Sequence, residues 1–272
     1  MHSMPAPVPW PAESDSAVLE ILRHTGTRLP GAAILCLASH PPCVNAFVDC
    51  LRDSLDSCRF GEAAGKVRRS ADDRSCVITF SDHLAWMAIA GMDREAIRQV
   101  RYIAEVFFQM EPCNAVIAEA AVAWLGGAVE VQPGEQGVEC ELIVPALDGQ
   151  IDLVDEARLP SSARPFVDRF GAPLHAFYRA LAVWPEYAGL VWSELENVAA
   201  SDAFRDAAGG VADCASESSR TLLSGPCDAS LLSEYGKLVS VLHTCLNASS
   251  QAAVIAAALR SRFIQSEHAR LS

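Results

Sequence analysis

The sequence predicts an all-α protein built from two related halves. Three observations predict it. Apolar residues recur at spacings of three and four along most of the chain, the signature of helices with one buried face. Alternating apolar and polar runs, the mark of half-buried strands, are nearly absent. One segment of the first half also returns in the second at a constant offset of 144 residues, as an internal duplication would leave it.

Taken in order, the chain opens with MHSMPAPVPWPAESDS, which has neither a basic nor an apolar leader region. No apolar run is expected to reach the length of a membrane span, so the reading is cytoplasmic. The first repeat is placed at 14–125. Within it LASHP (37 to 41) carries a proline, and Cys36, Cys43 and Cys50 recur every seven residues, as on one shared helical face. AIRQVRYIAEVFFQM (96 to 110) and AVIAEAAVAWL (115 to 125) are amphipathic or apolar helices, parted at Glu111-Pro112 by what reads as a helix junction. From 126 to 162 Gly and Pro accumulate, and VECELIVPAL (138 to 147) alternates weakly, so a linker with an extended segment is expected there.

The second repeat is placed at 163–268. LAVWP (181 to 185) lies on LASHP, and the match runs from Leu37/Leu181 to Val67/Val211 with ten identities in thirty-one ungapped positions. Proline in a helix interior costs roughly 3 kcal/mol, yet it is favoured at the first helical position, where its missing N–H would be unpaired anyway. Pro41 and Pro185 are therefore expected to open new helices at equivalent corners. LLSEYGKLVSVLHTCL (231 to 246) supplies a further helical run.

Composition narrows the partners. The formal charge is −13 and the pI about 4.9, which argues against nucleic acid and anionic membranes, since both require a positive face. The ten cysteines include no CxxC pair and no Cys/His cluster at zinc spacing, so neither a redox couple nor a metal site is signalled.

FYRALAVWPEYAGLVWSEL with VDRFGAPL before it, and MDREAIRQVRYIAEVFFQMEPCNAVIAEAAVAWL in the first half, resemble segments of the group I 2-haloacid dehalogenases, also called the halocarboxylic acid dehydrogenase family. The resemblance runs from about Ser14 to Phe263 and takes in the duplication and the linker. It implies two helical halves with an active site between them, and hydrolysis of a carbon–halogen bond in either enantiomer of a small 2-haloalkanoate. It also implies direct attack by a water that an aspartate activates, with no cofactor, and a homodimer is compatible with it. Counted back from the Leu-Ala-x-Trp-Pro corner, that aspartate falls on Phe177, which cannot accept a proton. The family's serine falls on Ala176 and the Asn of its Asn-Pro corner on Glu111, with Asn114 close by. Rings expected near Leu29 to Ala32 are missing.

Two residues can take over the base role, because a general base needs a protonatable atom within hydrogen-bond reach of water. His175 lies two residues from the family position, and Glu111 precedes Pro112. Phe177, Tyr178, Trp184 and Asn114 are the candidate walls of a small-carboxylate pocket, and Tyr187 and Trp192 add further rings. Each has a plain alternative: a capping histidine, a helix-start acid, rings in a core. Cys113, read as lying near a helix start, would have a lowered thiol pKa. Two functions remain open: a hydrolase with a relocated base, and a small-carboxylate-binding or structural paralogue that kept the fold and lost the chemistry.

Overall fold

The computed structural model describes residues 11–26, 29–127, 151–171 and 174–271. Its α-helices are α1 (Asp15–Thr25), α2 (Ala32–Ala38), α3 (Pro41–Leu55), α4 (Cys58–Arg74), α5 (His83–Ile89) and α6 (Arg94–Leu125), followed by α7 (Arg164–Phe170), α8 (Ala176–Leu181), α9 (Pro185–Ala199), α10 (Asp202–Ser219), α11 (Ala229–Tyr235) and α12 (Leu238–Leu271). Short 3-10 turns lie at Ala12–Ser14, Ser75–Val77, Glu156–Arg158 and Ser161–Ala163. There is no β-strand among the described residues. The all-α reading therefore holds, and the alternating stretch at 138–147 lies outside the described residues.

Local chemistry sets the helix starts. Ser57, Asp82, Asp93, Ser201 and Asp228 each accept a backbone N–H of the first turn on their side chain, an arrangement worth roughly 1 kcal/mol at each helix start. Pro41 and Pro185 occupy the first positions of α3 and α9, where proline's fixed φ suits a helix and no N–H is missed. Ala32, Pro41 and Cys58 open α2, α3 and α4, and Ala176, Pro185 and Asp202, each 144 residues further, open α8, α9 and α10.

The core forms around α6 and α12, which pack on each other more extensively than any other pair. Alanine-rich runs, Ala115 to Ala118 with Ala120 and Ala121 on α6, and Ala252 to Leu259 on α12, are buried, and their alanines let two helices approach closely. By length and composition α12 is apolar enough to cross a membrane, contrary to the expectation that no such run exists. Its alanine-rich stretch is instead buried in the protein core.

Two other expectations fail here. Pro112 does not begin a helix: α6 runs unbroken from Arg94 to Leu125 with the proline inside it. The lost backbone bond and ring clash cost about 3 kcal/mol. Val106, Phe107, Phe108, Met110, Val116 and Ile117 on either side are all buried, and each such side chain contributes about 1.5–3 kcal/mol, so burial outweighs the break. The three seven-spaced cysteines do not share one helix either, because the break before Pro41 puts Cys36 on α2 and Cys43 and Cys50 on α3. No disulfide joins cysteines among the described residues.

Candidate active site

Within the most apolar part of α6 sit two polar side chains, Glu111 and Asn114, fully and almost fully buried among Met110, Pro112, Cys113 and Ala115. One helical turn separates them, so both leave α6 on the same side. Two helix starts converge on that side. His175, at the start of α8, places Nε2 3.3 Å from Glu111 Oε2. Gly31, at the start of α2, lies so close to Asn114 that a Cβ there would meet Oδ1 at 2.2 Å. Gly31 has an ordinary φ of −68°, so the demand for glycine at this position is one of space.

The hydrogen bonds assign roles. His175 Nδ1 accepts the Phe177 N–H at 3.3 Å, which leaves the ring proton on Nε2, facing Glu111. Asn114 Nδ2 donates to Glu111 Oε2 at 3.4 Å. Both contacts fall on one carboxylate oxygen. Glu111 Oε1 has no hydrogen-bond partner among the described residues, and neither has the Tyr178 hydroxyl. A buried polar atom without a partner costs about 1–3 kcal/mol and calls for an explanation. Burial, and after it the Glu111 charge, push the Tyr178 phenol well above its ordinary value, so it remains an O–H donor.

The sequence candidates thus divide. His175 and Asn114 meet at Glu111, and the Tyr178 ring lies 6.2 Å from that of His175. Phe177 is fully buried, its ring 5.2 Å from Phe107 and 5.3 Å from Tyr178, so it packs the wall beside that point. Trp184 precedes α9 and is partly buried against the core, with no ring contact or hydrogen bond to Glu111 or His175 among the described residues. Trp192 meets Phe166 edge-on at 5.1 Å. Cys113 lies inside α6 rather than at a helix start, and burial pushes its thiol up to about 12, the reverse of the activation expected of it.

A second buried polar chain was not foreseen. His83, on α5 and fully buried, contacts the Tyr187 hydroxyl through Nδ1 at 2.9 Å and Glu194 Oε2 through Nε2 at 2.8 Å. Glu194 also accepts the Ser81 backbone N–H. Burial lowers the His83 pKa against the opposing pull of Glu194. The ring is therefore neutral near pH 7, with Tyr187 O–H donating to Nδ1 and Nε2–H donating to Glu194. The only local signal is the Asp82 cap that starts α5; the partners lie on α9, more than a hundred residues away, where spacing arguments do not reach.

Among the described residues no group of three or more His, Cys, Asp or Glu side chains is arranged to hold a metal ion. No family model matches the sequence, and no curated protein sequence matches it. Solved structures do. A D-2-haloacid dehalogenase mutant in complex with D-2-CPA aligns over 96% of this chain and 97% of its own at TM-score 0.75 and 15% identity. A D-2-halacid dehalogenase mutant aligns over 96% and 98% at TM-score 0.80 and 15% identity. A D-2-haloacid dehalogenase with L-LA aligns over 96% and 99% at TM-score 0.76 and 15% identity. Across nearly its whole length, this chain has the fold of the D-2-haloacid dehalogenases.

Proposed function

We propose that the protein is a hydrolase of small 2-halocarboxylates in which Glu111 is the general base. The observation that carries this reading is the free Oε1 of a fully buried carboxylate whose charge acts on the equally unpartnered Tyr178 hydroxyl. In the reaction a water attacks C2, the carbon–halogen bond breaks, halide leaves, and Glu111 Oε1 receives the proton. His175 is a positioning residue that holds Oε2, with Asn114 beside it. Tyr178 donates a hydrogen bond to the attacking water or to the substrate carboxylate. The likeness to D-2-haloacid dehalogenases in fold and the resemblance in sequence support the substrate class. The equal offsets of α2, α3 and α4 against α8, α9 and α10 support two repeats, with the site where a helix start from each repeat meets α6.

The test is halide release from each enantiomer of 2-chloropropionate, by wild type and by Glu111→Gln. Release that disappears in the variant is expected. No release from either enantiomer between about pH 6 and about pH 10, where a carboxylate or imidazole base would operate, overturns the reading.

One observation favours a second reading. The position at which the resemblance puts the aspartate is a fully buried phenylalanine, as in a paralogue that binds small carboxylates without turning them over. It expects saturable stabilisation by 2-chloropropionate or lactate with no halide released.

A further inference from the structure

A cleft of about 330 Å³ opens where α6 and α12 lie side by side, and none of its lining residues belongs to the Glu111 site. Arg98, Arg101, Tyr102 and Glu105 line it from α6, and Arg260, Phe263 and Ile264 from α12. The spacing of three and four on both helices puts each set on one face. Glu111 follows Glu105 by six residues, about 9 Å along the axis and roughly a third of a turn away in direction.

We propose that this cleft binds an organic anion: a carboxylate or phosphate head on a single-ring or short alkyl body. The charge is the first argument. In a chain of net charge −13, three guanidiniums line a single cleft, each paired with one carboxylate, Glu95, Glu267 or Glu105, and each keeping unused N–H donors. They are also held in place. Arg260 Nε donates to Glu105 Oε2 at 2.6 Å, and its guanidinium lies 4.5 Å over the Phe108 ring. Arg101 Nη2 pairs with Glu267 Oε1 at 2.7 Å, and Arg98 grips Glu95 through Nε and Nη2. These pairings use one or two of the five N–H donors that each guanidinium carries, so donors for a planar carboxylate or a phosphate remain.

Stability does not account for the cluster. Arg98 is 75% exposed and Arg101 40% exposed, and exposed ion pairs contribute little. Their fixed geometry does reduce the ordering cost of capturing an anion. The second argument is the apolar part. Phe263 is buried, and Ile264 is one of few large hydrophobic side chains left exposed among the described residues. They give the cleft an apolar side next to its cationic one, and the volume is at the lower end of that of small-molecule sites.

Titration calorimetry on the full chain with phenyl phosphate, benzoate and inorganic phosphate tests this. Phenyl phosphate and benzoate are expected to bind saturably, each at least about tenfold more tightly than inorganic phosphate, because only they use the apolar side. Which of the two binds more tightly assigns the head group. The double variant Arg98→Ala, Arg101→Ala alters exposed positions and is expected to fold; it should weaken both by about tenfold or more. Glu111→Gln should leave both affinities unchanged, which separates this cleft from the candidate active site and from the fate of the dehalogenase reading. Absence of saturable binding by all three probes up to about 10 mM, well above ordinary ligand affinities, or affinities unchanged in the double arginine variant, overturns the proposal.

Discussion

Glu111→Gln is expected to stabilise the fold while abolishing halide release, and the two effects together test why the carboxylate is where it is. Glu111 is fully buried. Its two contacts, 3.3 Å to His175 and 3.4 Å to Asn114, lie at or beyond the long edge of ordinary hydrogen-bond distances. Both fall on Oε2, while Oε1 and the nearby Tyr178 hydroxyl lack partners among the described residues. A carboxylate has about four lone-pair sites to satisfy, so the site leaves it poorly compensated. An amide of the same shape keeps an acceptor for His175 Nε2–H and Asn114 and carries no charge to desolvate. Burying an under-bonded charge costs more than burying a neutral amide, so a gain of about 1–2 kcal/mol is expected, or roughly 2–8 °C in Tm for a chain of this size. Urea unfolding followed by far-UV circular dichroism reads the stability, and chloride release reads the activity. If Glu111 and His175 were instead a structural ion pair, removing one partner would cost about 3–5 kcal/mol. A destabilisation of that size would refute the argument.

Three more outcomes follow from the geometry. Stability should fall on acidification from about pH 6.5, because burial holds the folded His83 pKa below its ordinary 6.5; the unfolded chain then binds the extra proton, and His83 contributes stability above that pH which is lost as pH falls toward its folded value. Glu194 extends the loss below its ordinary 4.5, since hydrogen bonds from Ser81 and His83 outweigh the upward push of burial and hold its pKa down. Arg262 and Asp82 also face His83, so His83→Gln, measured by urea unfolding at several pH values, should flatten the upper part of the profile by at most about 1.4 kcal/mol per pH unit. Gly31→Ala pushes a methyl group into Asn114 and should cost about 1–3 kcal/mol by overpacking, with halide release lowered as Asn114 moves; a fully active and equally stable variant would show that the contact relaxes freely. Tyr178→Phe removes a hydroxyl with no partner, so unfolding should show unchanged or slightly higher stability while halide release drops about tenfold or more; equal turnover would take Tyr178 out of the chemistry.

What the sequence made legible was set by local rules. Pro41 and Pro185 could be placed at helix starts because proline's fixed φ and missing N–H act at the residue itself. Pro112 carries the same chemistry and was misplaced, since what keeps it inside α6 is burial of the neighbouring side chains by α12 and other helices, which no local rule contains. The candidate site shows the same division. Glu111 and His175 could be singled out as titratable groups near a helix corner. That they lie 3.3 Å apart, and that the imidazole is occupied by the Phe177 N–H, depends on α8 packing against α6. The His83, Tyr187 and Glu194 chain joins α5 to α9 through contacts more than a hundred residues apart, and composition carries no trace of such a pairing.

The packing of α6 against α8 also bears on how a dehalogenase-like fold could lack an acid at position 177. The resemblance puts the aspartate on α8, where Phe177 now packs its ring against Phe107 of α6. One turn along α6 from Phe107 is Glu111, and it reaches across to His175, two residues before Phe177. The resemblance would attach the carboxylate to α8, whereas here Glu111 offers a buried one from α6. On the proposed function, a base on α6 keeps what water activation needs, a desolvated acceptor beside a fixed donor, and meets the substrate from a different direction than a base on α8 would. An inverted preference between the enantiomers, relative to a D-2-haloacid dehalogenase assayed alongside, is the consequence that direction predicts. Parallel chloride-release measurements on D- and L-2-chloropropionate check it, and an unchanged preference would mean that the carboxylate approaches C2 from the same side as before.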